Sequence, residues 1–380
     1  MIKVLSVFGT RPEAIKMAPL IKVLQKEKDI DSKVCVTAQH REMLDQVMDI
    51  FQLTADYDLN IMEEKQSLSD ITIHALKGLE EVIKDAQPDM VLVHGDTATT
   101  FAGALASYYN KVNLGHVEAG LRTYNKYFPY PEELNRRLVG AIADLHFAPT
   151  FGSKRNLLRE NIGENSIFVT GNTVIDALKT TINKEYEFKD PTLKMVDFSK
   201  RIILVTAHRR ENIGEPLENI CNAINQICEN YKDVEIIYPV HMNPKVRDVV
   251  FGILGNKDGV HLIDPIDVVE MHNLMDRSFI VLTDSGGLQE EAPSLGKPVL
   301  VLRSETERPE AIEYGTVKLA GTKMKNIYTL ASILLDDKNE YEKMANAINP
   351  YGDGYASERI KDCLLYKFRY KKERPVDFRP

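Results

Sequence analysis

Short apolar runs of strand length alternate with helix-length amphipathic segments along nearly the whole chain. The runs that read as strands are Lys3–Phe8, Lys33–Thr37, Met90–His94, Leu114–Val117, Leu145–Ala148 and Ile167–Thr170. After a break they resume at Arg201–Thr206, Glu235–Val240, His261–Ile263, Phe279–Thr283, Val299–Leu302 and Val317–Leu319. Segments between them, such as Ile15–Lys26, Ala98–Tyr109 and Pro216–Tyr231, carry the apolar spacing of helices. Several strands are near-continuous Val/Ile/Leu runs, the pattern of a parallel sheet covered on both faces. Repeated β-α units of this kind predict two doubly wound, Rossmann-like α/β domains. A length of 380 residues agrees, at one domain per roughly 100–200 residues.

The break at Glu185–Lys200 is charged, contains Pro191 and shows no clean period, so a domain junction is expected there or slightly before, after a helix Val174–Asn183. A second turn-rich hinge, Asn349-Pro350-Tyr351-Gly352-Asp353-Gly354, precedes a last helix, Ser357–Arg369. The basic stretch 367–380 reads as a solvated helix end and tail.

Polar residues cluster where the apolar pattern does not require them. Nearly every strand ends in groups able to hold or transform a ligand: Gly9-Thr10-Arg11, Thr37-Ala38-Gln39-His40, His94-Gly95-Asp96, Glu118-Ala119-Gly120, Thr170-Gly171-Asn172 and Ala207-His208-Arg209-Arg210. The second half adds His241, Asp264, Asp284-Ser285-Gly286-Gly287 and Arg303. Ligands of open α/β sheets bind outside the carboxyl ends of the strands. Two such sheets facing each other are expected to form one cleft lined by both sets.

Charge narrows the ligand. The net charge is −8 and the pI about 5.7, which argues against nucleic acid or an anionic membrane surface as partner. An anionic small substrate remains open, because a few local cations suffice to bind it. Four cysteines without a C-x-x-C pair read as reduced, structural thiols. No apolar stretch approaches the ~18 residues of a membrane span, and Ile2–Phe8 lacks the charged lead and cleavage site of a signal peptide. A cytoplasmic protein is the expectation.

Ser285-Gly286-Gly287 follows a strand and opens a helix, the geometry of an anion site. No G-x-G-x-x-G or G-x-x-x-x-G-K-[ST] occurs, so bound NAD or a P-loop is not expected. Arg11, Lys16, Arg209, Arg210 and Arg308 lie in or just after strand-end loops and suit a diphosphate. The nine histidines show no metal-binding spacing, although His94, His116, His208 and His241 each end a strand. Asp96 and Glu118 close consecutive strands, and Glu132 and Glu133 open a helix, where the helix dipole also favours acids. Several carboxylates near one anionic ligand suggest proton transfer, with pKa values tuned by burial and mutual repulsion.

Gly9–Leu20, Thr37–Leu44, Val93–Thr97, His116–Thr123, Pro131–Glu133 with Asn135-Arg136, Thr206–Asn212, and Leu282–Pro293 running on to Arg308–Glu310 together resemble the motifs of bacterial and archaeal non-hydrolysing UDP-N-acetylglucosamine 2-epimerases. The resemblance implies a glycosyltransferase-B-like fold whose last helix crosses back onto the first domain. The division it suggests is 1–172 with 355–380, and 173–354. It implies reversible conversion of UDP-GlcNAc to UDP-ManNAc without added cofactor, by elimination of UDP to a 2-acetamidoglucal and re-addition. The product would supply ManNAc-type sugars for cell-surface polysaccharide, and the enzyme would be a homodimer.

Carried over position by position, the family's catalytic residues match Asp96, Glu118, Glu132 and His208. Its nucleotide-sugar contacts match Arg11, Lys16, Met271, Ser285, Gly286, Gly287, Glu291 and Arg308. Met271 stands where members often carry Phe near the uracil, and Ile266 where some carry Gln. Some bacterial members bind a second UDP-GlcNAc as activator; the matching positions are Gln39, His40, Gln66, Glu132, Arg209 and His241, while Glu42 and Lys65 replace the Gln and Arg of regulated members. Alternative readings of the same residues are a 2-epimerase of a UDP-diacetamido-uronic acid, a hydrolysing epimerase, a glycosyltransferase of the same fold and a non-catalytic nucleotide-sugar sensor, the last opposed by intact Asp96, Glu118 and Glu132.

Overall fold

The computed structural model describes the chain except residues 39, 40, 64, 65 and 307. It divides into two compact units, Met1–Thr180 with Tyr351–Pro380, and Thr181–Pro350. The first contains a seven-stranded sheet: β1 (Ile2–Phe8), β2 (Ile30–Val36), β3 (Tyr57–Asp58), β4 (Met90–His94), β5 (Asn113–Val117), β6 (Leu145–Ala148) and β7 (Ile167–Val169), in the order β3-β2-β1-β4-β5-β6-β7. The second contains β8 (Arg201–Thr206), β9 (Val234–Pro239), β10 (Val260–Ile263), β11 (Ile280–Thr283), β12 (Val299–Val301) and β13 (Val317–Leu319), in the order β10-β9-β8-β11-β12-β13. Every strand pairing is parallel. The expected fold class, two doubly wound Rossmann-like units, is the one observed.

Strand burial explains the sequence pattern. β4 and β9 are buried at every residue, with helices on both faces of each sheet. In the first unit Val4, Phe8, Met90 and Leu92 face one core with Met17, Leu20, Ile21 and Leu24, and Leu5, Val7, Val91 and Val93 face another. The helix Arg11–Lys26 begins earlier than its apolar spacing suggests. Thr10 and Glu13 form a reciprocal capping box and Pro12 occupies the first turn, where its missing N–H costs nothing.

The helix Thr173–Thr181 packs with the first unit, because Asp176 receives the backbone N–H groups of Ala356 and Ser357 at 3.1 and 2.8 Å and so fixes the start of the last helix. That helix, Ala356–Lys367, sets Ile360, Cys363, Leu364 and Leu365 into the core beneath the helix Arg11–Lys26. The basic tail beyond it differs from the solvated tail expected. Phe378 N donates to Val169 O at 2.7 Å, Asp377 accepts from Val169 N at 3.0 Å, and Arg374 reaches the carbonyls of Asn165 and Ile167. β7 is an edge strand, and its unpaired backbone groups bind the tail.

All four cysteines are buried and unbonded. Burial pushes the thiols of Cys35, Cys221 and Cys228 up to about 12, so they stay protonated and inert. Among the described residues no helix is long and apolar enough to cross a membrane.

Candidate active site

Both sheets have a topological switch point, β1/β4 in the first unit and β8/β11 in the second. In each unit several of the site residues named from sequence, Arg11, Asp96 and Glu118 in the first and His208 and Ser285–Gly287 in the second, lie just past the carboxyl ends of these strands or their neighbours. In the first unit Val7 lies beside Val93 and His94 beside Val117, so the loops after β1, β4 and β5 leave one sheet edge together. Gly9 permits this crowding: a Cβ there would lie 2.0 Å from Thr37 Oγ1 and 2.5 Å from Thr99 Oγ1.

Glu118 is the first residue past β5 and holds a left-handed backbone, φ 63°. Such a conformation is strained in a side-chain-bearing residue by about 1–3 kcal/mol and marks functional positions. Its Oε2 pairs with Lys16 Nζ, accepts from Asn172 Nδ2 at 2.8 Å, and stands 3.7 Å from His94 Nε2. Burial pushes the His94 imidazole down to about 4, so it faces Glu118 as a neutral ring. His116 is driven down to about 3 by the same cause, with Nε2 2.7 Å from Gly95 O, and serves the turn.

Asp96 follows the left-handed Gly95. Arg136 Nη2 donates to its Oδ2 at 2.5 Å, and Asn135 Nδ2 to its carbonyl at 2.9 Å. Burial raises its pKa; Arg136 opposes the shift, and the nearby Glu118 and Glu132 carboxylates add to it. Glu132 is half-buried at the start of the helix Glu132–Ile142. Glu133 turns away to a structural task. It is fully buried and accepts the N–H groups of Thr123 and Tyr124, both at 3.0 Å, with Arg136 Nη1 at 3.4 Å. Arg11 opens the helix Arg11–Lys26, five positions before Lys16.

In the second unit Thr206 and Thr283 are paired strand ends whose hydroxyls lie 2.6 Å apart. Asp284, wholly buried, gathers three donors on Oδ2: His208 N at 2.8 Å, Arg209 N at 2.8 Å and Asn212 Nδ2 at 3.0 Å. Its Oδ1 has no hydrogen-bond partner and stands 3.7 Å from His208 Nδ1. His208 stacks on His241 with ring centroids 5.2 Å apart. Its pKa is lowered, by burial first, against the pull of Asp284 and with the help of His241 and Arg209.

The helix Gly286–Ser294 starts at the same edge, with Ser285 as its cap residue. A Cβ on Gly286 would lie 2.6 Å from Arg308 Nη1, so glycine lets the guanidinium rest on the helix start. Arg308 Nε donates to the buried Glu290 at 2.5 Å. N–H groups of a first turn plus an arginine make a site for phosphate. Glu291 Oε2 lies 3.3 Å from His272 Nε2, whose Nδ1 is 2.6 Å from Thr181 Oγ1. Met271 precedes His272 on the helix Val268–Asp276 and is half-buried.

Of the residues matched to an activator site, Arg209 and His241 adjoin His208, whereas Gln66 lies in the first unit and donates to Ile61 O at 2.6 Å. Gln39, His40 and Lys65 lie outside the described residues. Among the described residues, no group of three or more His, Cys, Asp or Glu side chains could hold a metal ion. Sequence reasoning overlooked the individual roles of Glu13, Asn172 and Asp284. Asn172 and Asp284 were signalled only by their place in strand-end motifs, and Glu13 lies just beyond one.

Comparison with known proteins identifies the family. The model of the family described as UDP-N-acetylglucosamine 2-epimerase matches residues 22–365. The chain is 60% identical to UDP-N-acetylglucosamine 2-epimerase of Bacillus subtilis (strain 168) over 377 residues, covering 99% of this chain and 98% of the relative. It is similar to the S. aureus MnaA–UDP co-structure, with a TM-score of 0.92, 52% identity and complete coverage of both chains. The structure of UDP-GlcNAc 2-epimerase from Neisseria meningitidis bound to UDP-GlcNAc aligns with a TM-score of 0.87 and 53% identity, covering 96% of this chain and all of that one.

Proposed function

The chain belongs to the UDP-N-acetylglucosamine 2-epimerase family, and on that premise we propose that it interconverts UDP-GlcNAc and UDP-ManNAc by eliminating and restoring UDP. The C2 hydrogen of the sugar is not adjacent to a carbonyl, so simple deprotonation leaves an unstabilised carbanion. Elimination avoids it. A carboxylate takes the C2 proton, the C1–O bond breaks with its electron pair on the diphosphate, and a C1–C2 double bond forms. In return, a diphosphate oxygen attacks C1 while an acid delivers a proton to the opposite face of C2.

Asp96, Glu118 and Glu132 are assigned the proton transfers. The observation that carries the assignment is that Asp96 and Glu118 follow the paired strands β4 and β5 at one sheet edge; burial raises the Asp96 pKa, and Glu118 and Glu132 add to the shift. Two-faced proton transfer needs one group that can hold a proton beside another that can lose one, and mutual repulsion of buried carboxylates provides that pairing. Lys16 pairs with Glu118, the acid with the strained backbone.

Leaving UDP is assigned to Arg308, the first turn at Ser285, Gly286 and Gly287, Arg11 and His208. Cations and preorganised N–H groups lower the energy of charge that develops on the departing oxygen. Glu291, held by His272, is assigned a ribose hydroxyl, and Met271 an apolar contact with the base. Arg209 and His241 beside His208 are where a second UDP-GlcNAc would act on the leaving-group side.

The test is proton NMR of UDP-GlcNAc with the purified chain in D₂O. Deuterium at C2 of both UDP-GlcNAc and UDP-ManNAc is the expected result. Accumulating free ManNAc and UDP would mean that water captures the intermediate, and no exchange would reject UDP-GlcNAc as the substrate.

A further inference from the structure

Glu13 is a buried acid of the first unit that the proposed epimerisation does not use; it is 2% exposed. Its Oε2 accepts Gly9 N at 3.0 Å, Thr10 N at 2.8 Å and the Thr10 hydroxyl at 2.8 Å. Its Oε1 lies 2.7 Å from Thr97 Oγ1 and 3.0 Å from Thr100 Oγ1. Thr100 Oγ1 in turn is 2.5 Å from the carbonyl oxygen of His94 and 3.1 Å from Thr97 Oγ1.

The protons around Oε1 do not suffice if Glu13 is ionised. A carbonyl oxygen can only accept, so the Thr100 hydroxyl proton belongs to the short contact with His94 O. The Thr97 hydroxyl proton serves its 2.7 Å contact with Oε1. Two hydroxyl protons thus cover two of the four oxygen contacts and leave two without one, Oε1 to Thr100 Oγ1 at 3.0 Å and Thr97 Oγ1 to Thr100 Oγ1 at 3.1 Å; a proton on Glu13 covers the shorter. We infer that Glu13 is held as a neutral carboxylic acid that donates its proton from Oε1 to Thr100 Oγ1, and that it is a positioning residue tying the Gly9–Arg11 turn to the His94–Thr97 turn that carries Asp96.

Burial independently favours this state: it raises the Glu13 pKa against hydrogen bonds from Thr97, Gly9, Thr10 and Thr100. Function gains from neutrality. The acid joins the loop that presents Arg11 to the one that presents Asp96, yet adds no negative charge to an edge that already holds Asp96 and Glu118. The effect on turnover rests on the epimerase reading; the protonation state does not.

Infrared difference spectroscopy of the full chain at neutral pH tests it. The spectrum of wild type minus E13Q is expected to show the carbonyl stretch of a protonated carboxyl group, sensitive to deuterium exchange. In T100V, which removes the acceptor, the same band is expected to move to higher frequency. A difference spectrum showing carboxylate stretches instead would overturn the inference. If E13Q does not fold, an unaltered carboxyl region in T100V overturns it alone.

Turnover gives a second readout. Glutamine places an N–H₂ donor where the acid proton sits, so E13Q should recover activity to within about threefold of wild type, whereas E13A should lose on the order of 10²-fold in kcat through misplaced loops. Folded E13Q as inactive as E13A would contradict a neutral acid. Failure of wild type to turn over UDP-GlcNAc would reject the epimerase reading and leave the infrared result standing.

Discussion

Lys16 and Glu118, 102 positions apart in sequence, form an ion pair through Nζ and Oε2 at the carboxyl edge of the first sheet. Their side chains are 15% and 8% exposed, and the same Glu118 oxygen accepts from Asn172. A carboxylate fixed from two sides, on a backbone at φ 63°, is aimed before any ligand arrives. Weakening it should be costly. K16M is expected to lower unfolding free energy by about 1–3 kcal/mol in urea titration, because a buried charge loses its counterion. Adding E118Q should restore part of that loss.

Asp96 should reveal itself through pH. Its folded-state pKa is raised, so the folded chain binds more protons than the unfolded chain between the two values, and stability declines as pH rises through the folded pKa. D96N removes that decline. Its melting temperature relative to wild type should therefore climb between acid and neutral pH, while kcat/KM falls by about 10²–10⁴-fold, the range of general acid–base catalysis. A constant offset in melting temperature would contradict the shifted acid.

In the second unit, Asp284 is the group that opposes burial in setting the His208 pKa. D284N removes the charge that favours the imidazolium. The limb of the kcat/KM profile that reports His208 should then move to lower pH. Asp284 also holds the backbone N–H groups of His208 and Arg209, so kcat should fall as well.

Gly286 tests the diphosphate end without altering a charge. The added methyl of G286A would meet the Arg308 guanidinium at 2.6 Å and push it off the first turn of the helix Gly286–Ser294. UDP affinity by calorimetry should weaken by about tenfold, or 1.4 kcal/mol, with the fold intact by circular dichroism.

Much of the fold was legible because parallel strands covered on both faces read as near-continuous apolar runs; β4, β11 and β12 announce themselves this way. β3 did not. It is two residues long, sits at the sheet edge and is Tyr57-Asp58, half-buried and exposed. The basic tail was misread for a related reason: its backbone pairing with β7 leaves no mark in composition. Asp96, Glu118, His208 and Ser285–Gly287 were legible because strand ends have no packing reason to be polar. Glu13 was not, because its partners Thr97 and Thr100 lie 84 and 87 positions away and its role depends on distances alone. Glu132 and Glu133 are adjacent and chemically identical; only the fold separates the acid that holds Thr123 and Tyr124 from the one left at the edge.

Cleavage of the C1–O bond is the central claim, and isotope scrambling tests it most directly. UDP-GlcNAc carrying ¹⁸O in the bridge between C1 and the β-phosphorus would be incubated with the chain and followed by ³¹P NMR. If UDP departs and returns, the label should spread into the non-bridging β-phosphate positions at a rate comparable to epimerisation. Epimerisation with the label held in the bridge would mean that C1–O never breaks, and would contradict the mechanism.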